Sequence, residues 1–287
     1  MSASSAPRSE HRRAGRGGVG RLYAYTFLVA TSAFCLIPFA WPLLASIDSH
    51  ATIYLQIPKL SLENIRHVVG DQEYRRLALN SLIIAGGATL LVLVASTLGG
   101  YALSRFQFPG RRTFMLAVLF TRMIPAVATI VPLYIIEDNL HLINTYQGVI
   151  LAIAAQQLPL ALWIMKGFFD TVPVYLEEAS WIDGMSRFGS SLRIVLPLAA
   201  PGVGAAALFT FIEAWGDFLT PLILLSGDPS KAPISIGLFR AFIGFNLVDW
   251  GLLAVLSLLY MVPAVCLYFL VRRYLLRATM TGAMAGV

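Results

Sequence analysis

Six apolar runs dominate this chain, at 22–47, 80–103, 113–136, 145–169, 201–225 and 251–271. Each is long enough to cross a hydrocarbon core about 30 Å thick as a helix rising about 1.5 Å per residue. Lipid offers no partner to an open sheet edge, so such segments are driven into helices that satisfy their own backbone. Of the 287 residues, 57% are hydrophobic and only 13% charged, too little charge to clothe a soluble domain of this size. The expected fold class is an all-α integral membrane protein with six transmembrane helices. Prolines 38, 42, 125, 132, 159, 221 and 263 fall within these runs. Neighbouring helices can satisfy the carbonyls they free, so each is read first as an ordinary membrane-helix proline and second as a kink around a pathway.

The domain organisation follows from the same pattern: a small, polar, basic segment at 1–21, expected to be disordered, a six-helix domain at 22–272 and a tail at 273–287. A basic start before an apolar run resembles a secretory signal. The first run is far longer than the roughly 7–15 residues of a signal core, so it reads as a retained span. Cys35 and Cys266 lie inside apolar runs, where a thiol acts as a small hydrophobe rather than a redox sensor or metal ligand.

The net charge of +6 is not gathered into a groove-sized basic patch, which argues against nucleic acid. The basic residues punctuate the ends of the runs instead. Alternate loops carry fourteen Lys and Arg on one side and six on the other, with Arg122 inside a span. The richer side holds the N-terminal segment, Arg105, Arg111, Arg112, Lys166, Arg187, Arg193 and the C-terminal end. By the positive-inside rule both termini and the polar loop at 174–197 are expected in the cytoplasm.

That loop reads as two short helices, 174–182 and 185–195, hinged at Gly184. Tyr175, Ala179 and Ile182 share one face, and Met185, Phe188 and Leu192 share another. With Glu177, Glu178, Asp183 and Arg187 as polar positions, the pair suits a groove on a soluble partner. The bland reading is a hairpin lying on lipid headgroups, which its acidic residues disfavour against an anionic leaflet. Pro197 and Pro201 are placed to turn the chain back into the fifth run.

Residue by residue, Glu178-Ala179-Ser180-x3-Gly184-x9-Ile194-x-Leu196-Pro197 resembles the EAA loop of ABC-importer permeases, E-A-A-x3-G-x9-I-x-L-P, departing only at Ser180. Tyr101-Ala102-Leu103-Ser104-Arg105 followed by Phe108-Pro109-Gly110-Arg111 is similar to the family's second-span exit. Trp215-Gly216-Asp217-Phe218 resembles its W-N-D/E-F stretch, with Gly216 in place of Asn. The tail 278–286 is similar to the G-x-T-x-G-A-x-x-G ending of MalG-like subunits, departing at Ala278 and Met280.

The resemblance implies a carbohydrate ABC-importer permease subunit, MalG-like, with the type I importer fold and a cytoplasmic coupling helix. On that reading Glu177, Glu178, Ala179, Asp183, Gly184, Arg187 and Pro197 form the ATPase-coupling loop. Glu178 would touch the ATPase and Gly184 would shape the bend, while Thr281, Gly282 and Gly286 would lie in a tail reaching towards the ATPase. The implied partners are a second, MalF-like permease, two ATP-binding subunits and an extracytoplasmic solute-binding protein in a bacterial inner membrane. ATP and Mg would be used by those subunits, with no cofactor on this chain. The residues agree: the lysines are Lys59, Lys166 and Lys231 and none follows a glycine, so no Walker A loop is present. Nor is there an H-E-x-x-H or G-x-S-x-G.

Candidate pathway residues are Arg122, Tyr134, Glu213, Trp215 and Asp217. A charge near mid-membrane costs about 2.5–3.5 kcal/mol on insertion scales, so Arg122 should face the bundle interior or water. Sugar hydroxyls, pairing with Glu213 or Asp217, and snorkelling remain open for it. Trp215 beside Asp217 supplies an aromatic face and a polar group, the two surfaces a sugar presents. Tyr134, Asn139 and Asn246 are first of all membrane-interface residues. Glu137, Asp138 and His141 sit close in sequence but read as a solvated loop rather than a metal site. The rival class is a stand-alone secondary transporter or channel using Arg122, Glu213 and Asp217 as an ion relay.

Overall fold

The computed structural model describes residues 17–54, 57–243 and 248–284. In chain order its helices are α1 (Gly17–Ser46), α2 (Glu63–Gly70), α3 (Gln72–Arg105), α4 (Arg111–Phe120), α5 (Ala126–Asn139), α6 (Tyr146–Thr171) and α7 (Tyr175–Ile182). After these come α8 (Arg187–Ser190), α9 (Leu196–Leu198), α10 (Ala200–Gly216), α11 (Leu219–Leu224), α12 (Ile234–Ile243) and α13 (Trp250–Met284). Four helices, α1, α3, α6 and α13, are long and apolar enough to cross a membrane unbroken. Among the described residues the number reaches six if each of two bent pairs counts as one span: Arg111–Met123 with Ala126–Asn139 at 101°, and Arg187–Leu198 with Ala200–Gly216 at 74°.

Several boundaries differ from the sequence reading. α1 begins at Gly17 and α13 runs to Met284, so part of each expected terminal segment continues the adjoining helix. Strong helix formers such as Arg, Leu and Ala carry the last turns past Arg272. The third run is not one straight span. Pro125 cannot donate to the helical ladder and pushes Ile124 out of helical angles, and the two residues take ψ of 121° and 136°. Pro38, Pro42, Pro132, Pro159 and Pro263 stay inside helices. The fifth run is likewise interrupted, at Asp217 and Phe218 between α10 and α11.

Lipid tails are as apolar as Leu, so helix association here depends on close packing more than on expelling water. α3 and α6 meet through small residues. A Cβ on Gly100 would stand 2.9 Å from Met165 Cβ and 3.0 Å from the Lys166 nitrogen, and one on Gly99 would meet Leu162 at 2.7 Å. α10 leans on both helices. One buried cluster, with Ile84, Ala88, Val149, Ile153 and Trp215, fills one half of this junction. The other half is filled by Val92, Ala161, Met165, Phe169 and Ala206. α1 stays outside, its apolar surface exposed from Leu22 to Ile37, and touches α13 through an edge-on Trp41–Trp250 contact with centroids 5.9 Å apart.

Candidate functional site

Pro173 forces Val172 into extended angles and ends α6, and α7 starts at once. α7 is stopped by Gly184, whose φ is +82°, a conformation that L side chains avoid. The Gly184 N–H donates to Trp181 O and the Met185 N–H to Ser180 O, both at 3.0 Å, which is the Schellman arrangement. Ser186 then caps α8, its hydroxyl accepting from the Gly189 N–H at 3.1 Å. A five-residue π-turn, Ser191–Val195, precedes α9, where Pro197 has no N–H to offer. The 74° bend falls at Ala199, between Pro197 and Pro201, so the expected hinge and turn residues lie where the backbone changes direction.

The loop has an inner and an outer face. Inside, Glu177 is 1% exposed, ion-paired to Arg105 Nε and accepting from the Tyr101 hydroxyl at 2.7 Å. The same guanidinium donates through Nη2 to Val172 O at 2.9 Å and through Nη1 to Ser104 Oγ at 3.0 Å. The Ser104 hydroxyl in turn donates to Asp170 at 2.7 Å, and Lys166 pairs with that carboxylate. Thus Tyr101, Ser104 and Arg105, all from the second-span exit, bolt α3 to α6 and to the loop. Glu177, expected among the partner-facing residues, is instead an internal anchor, held by Tyr101 and Arg105 of α3.

Ser180, the one departure from the EAA pattern, is buried. Its hydroxyl donates to Glu177 O at 2.7 Å and shares a hydrogen bond with Ser190 Oγ at 2.8 Å, tying α7 to α8 across the bend. Outside, Tyr175, Glu178, Ala179, Ile182, Asp183, Arg187 and Phe188 are exposed. Ile182 is 87% exposed and Phe188 65%, a large apolar display for a loop meant to stand alone. Arg187 lies over the Trp181 ring, 5.0 Å from its centroid, which orients it on this face.

The expected pathway residues are dispersed differently. Arg122 is the central residue of a single 3₁₀ turn, Thr121–Met123, before the Pro125 corner, and donates to Gln156 O at 3.1 Å and Gln157 Oε1 at 2.8 Å. It pairs with neither Glu213 nor Asp217. Glu213 is exposed, and Asp217 accepts from the Thr220 N–H at 3.1 Å, capping the start of α11. Gln156 Nε2 lies 3.4 Å from Thr220 Oγ1. A polar run therefore links Arg122 to Asp217 through Gln156, Gln157 and Thr220, midway along α6. Sequence reasoning missed the three linkers, although two adjacent glutamines in the middle of an apolar span were visible as a signal.

Trp215 is 4% exposed, stacked on Phe211 and donating its indole N–H to Tyr260 O at 2.8 Å, so it supports the helix break rather than offering a free ring. Tyr134 is 37% exposed on α5. Asn139 bonds back to Ile135 O at 2.8 Å. Glu137 is buried while Asp138 and His141 face outward, so the three do not converge. Asn246, Gly286 and residues 1–16 lie outside the described residues, as does the side chain of Thr281; Gly282 falls within the last turn of α13.

Bent apolar spans around a close-packed helix pair, with a cross-braced loop at one end, define a polytopic permease. The chain belongs to the family described as binding-protein-dependent transport system inner membrane component, whose pattern matches residues 92–279. It is 32% identical over 265 residues to the trehalose/maltose transport system permease protein MalG of Thermococcus litoralis, covering 90% of this chain and 94% of that one. It is 30% identical over 256 residues to the diacetylchitobiose uptake system permease protein NgcG of Streptomyces coelicolor, with 87% and 84% covered. Its fold is similar to a chain in the crystal structure of a bacterial ABC transporter involved in the import of the acidic polysaccharide alginate. The TM-score is 0.77 at 19% identity, over 91% of this chain and 99% of that one. The protein is a permease subunit of an ABC importer and not an enzyme. A stand-alone carrier finds no support, because Arg122, Glu213 and Asp217 form no direct relay and the relatives are importer subunits.

Proposed function

We propose that this subunit, with a second permease, forms the path for a sugar or sugar-like solute and takes its driving motion from ATP-binding subunits docked on the outer face of the 174–197 loop. Two relatives named for disaccharide-type solutes support the solute class. The fold is also similar to a chain of a bacterial alginate ABC transporter in complex with an alginate pentasaccharide-bound periplasmic protein, which supports the delivery partner. The loop faces the cytoplasm, where ATP and Mg are available to those partners, and the bias of basic residues towards that side supports this orientation.

The observation that carries the reading is the division of the loop's two faces. Its inner face is held by Arg105, Tyr101 and the Ser180–Ser190 bond, whereas Glu178, Ile182 and Phe188 are presented outward on a backbone shaped by Gly184. A braced, amphipathic projection suits a groove on a soluble partner. ATP closing the ATPase pair would carry the loop with it, and the bent spans would open the path to one side of the membrane and then the other. The polar run from Arg122 to Asp217 lies at the depth where a hydroxyl-rich solute needs donors and acceptors.

Reversing the exposed charge with Glu178→Lys tests the docking. The expected result is a folded, membrane-inserted chain that no longer retains the ATPase subunits on purification or no longer couples their hydrolysis to uptake. Normal coupled uptake by that variant would overturn the proposal.

A further inference from the structure

We propose that the α3–α6 pair is a rigid strut that carries displacement of the 174–197 loop across the bilayer to the turn at 229–234, with Glu177 and Asn80 as positioning residues at its two ends. This rests on the docking reading above.

α3 is unbroken from Gln72 to Arg105. Its inner end holds the loop through the Arg105 and Tyr101 contacts to Glu177, and its other end holds a second loop with equal completeness. Asn80, 2% exposed, donates through Nδ2 to Ser230 O and to Ala232 O, both at 2.9 Å, and accepts at Oδ1 from the Tyr146 hydroxyl at 2.7 Å. Ser81, also buried, accepts from the Ile234 N–H at 2.8 Å. Arg105 and Asn80 are about 37 Å apart along the helix, at about 1.5 Å per residue. Both clamps therefore bind backbone or side chains that belong to other segments, at opposite membrane faces.

α6 doubles the rod. It is bolted to α3 by Ser104–Asp170 at one end and Tyr146–Asn80 at the other, and pressed against it along the way at Gly87, Gly99 and Gly100. Helices this close slide or bend only by breaking contacts along their whole length. The neighbouring spans are built the other way: corners stand at Pro125 and Ala199, and a break at Asp217. A push on the loop is then borne by α3 and α6, while the cornered spans yield. The turn at 229–234 is where the load arrives, on the face where a solute-delivering protein would sit.

The test uses the whole importer in lipid nanodiscs, with spin labels at Ser226→Cys beside the turn and Asp138→Cys on the cornered α5, both exposed. ATP with orthovanadate traps the ATPase pair closed. The distance between the labels is compared in the parent, Glu177→Gln, Asn80→Ala and the double variant. Trapping should shift the parent distance; each single variant should lose at least half of that shift, and the double should lose no more than the worse single, because the two clamps act in series. Losses that add, single variants that shift like the parent, or a parent with no shift would each overturn the strut. A purely structural effect would instead appear as additive loss of thermal stability. Should either single variant fail to assemble, Tyr101→Phe and Ser81→Ala remove one bond at each end and take its place. Glu178→Lys is run alongside. If it keeps normal coupled uptake the docking reading fails, whereas additivity with Glu178→Lys losing its ATPase subunits or its coupling condemns the strut alone.

Discussion

Glu177 and Glu178 are consecutive residues on α7, yet the first is sealed beneath Arg105 at 1% exposure and the second stands on the open face of the loop. One carboxylate holds the loop to the bundle and the other is free for a partner. The two positions should therefore fail in different ways.

Glu177→Ala leaves the Arg105 guanidinium buried without its counter-ion. Breaking a buried pair costs about 3–5 kcal/mol, so thermal unfolding of the purified chain should drop markedly. Glu178→Ala removes an exposed group and should change stability by less than about 0.5 kcal/mol, while weakening retention of the ATPase subunits. Equal melting losses in the two variants would mean that the faces are not divided as described.

Ser180→Ala restores the alanine usual in the EAA pattern but orphans the buried Ser190 hydroxyl. A cost of about 1–2 kcal/mol is expected. Ser180→Ala with Ser190→Ala removes both partners and should cost less than the sum of the single changes. Strict additivity in a double-mutant cycle would remove the Ser180–Ser190 bond from the account of the bend.

At Gly184 a Cβ would meet nothing within 4 Å, so any penalty comes from the backbone angle alone. Gly184→Ala should destabilise by about 1–2 kcal/mol and Gly184→Asn by less, since Asn tolerates the left-handed region better. Loss of coupling should follow the same order, read as solute taken up per ATP hydrolysed.

Gly100 is buried where α3 packs on α6, whereas Gly167 lies on an exposed face of α6. A Cβ at Gly100 would press on Met165 and on the Lys166 backbone, whereas one at Gly167 meets nothing within 4 Å. Gly100→Ala is expected to cost about 1–3 kcal/mol through overpacking. Gly167→Ala should be neutral or slightly stabilising, because Ala favours helix. A melting series in one detergent compares them directly.

Arg122→Gln removes the charged donor to Gln156 O and Gln157 Oε1. A hydrogen bond to a charged group is worth about 1.5–3 kcal/mol, and about 1.4 kcal/mol is tenfold in rate or affinity. Uptake should fall about tenfold or more while ATP hydrolysis persists. Glu213→Gln, at an exposed position with no partner among the described residues, should leave uptake near normal.

Much of the fold and of the loop was legible before any contact was known, because the properties involved are local. Apolar run length marks a helix: four runs reappear as unbroken helices, the third as the pair bent at Pro125, and the fifth as α10 and α11 on either side of Asp217. Glycine in a polar stretch tolerates a positive φ, so Gly184 marked the bend, and Pro197 with Pro201 bracketed the turn. The spacing of Tyr175, Ala179 and Ile182 identified one face of α7. Less legible was the difference among prolines. Pro125 makes a 101° corner while Pro132, seven residues on, stays within a helix, and only the neighbours that accept the freed groups distinguish them.

The amino-acid sequence by itself determined that this chain lives in a bilayer, that its segments are helical, and that a hinged polar loop stands at one end. Those follow from transfer energies and backbone preferences that each short stretch carries with it. Tertiary structure alone decided that Glu177 turns inward to Arg105, that Arg122 answers to Gln156 and Gln157 rather than to Glu213 or Asp217, and that Trp215 is packed away under Tyr260. Each of those pairs joins residues 34 or more positions apart, so the partner is chosen by how helices settle against one another, and no local preference encodes it.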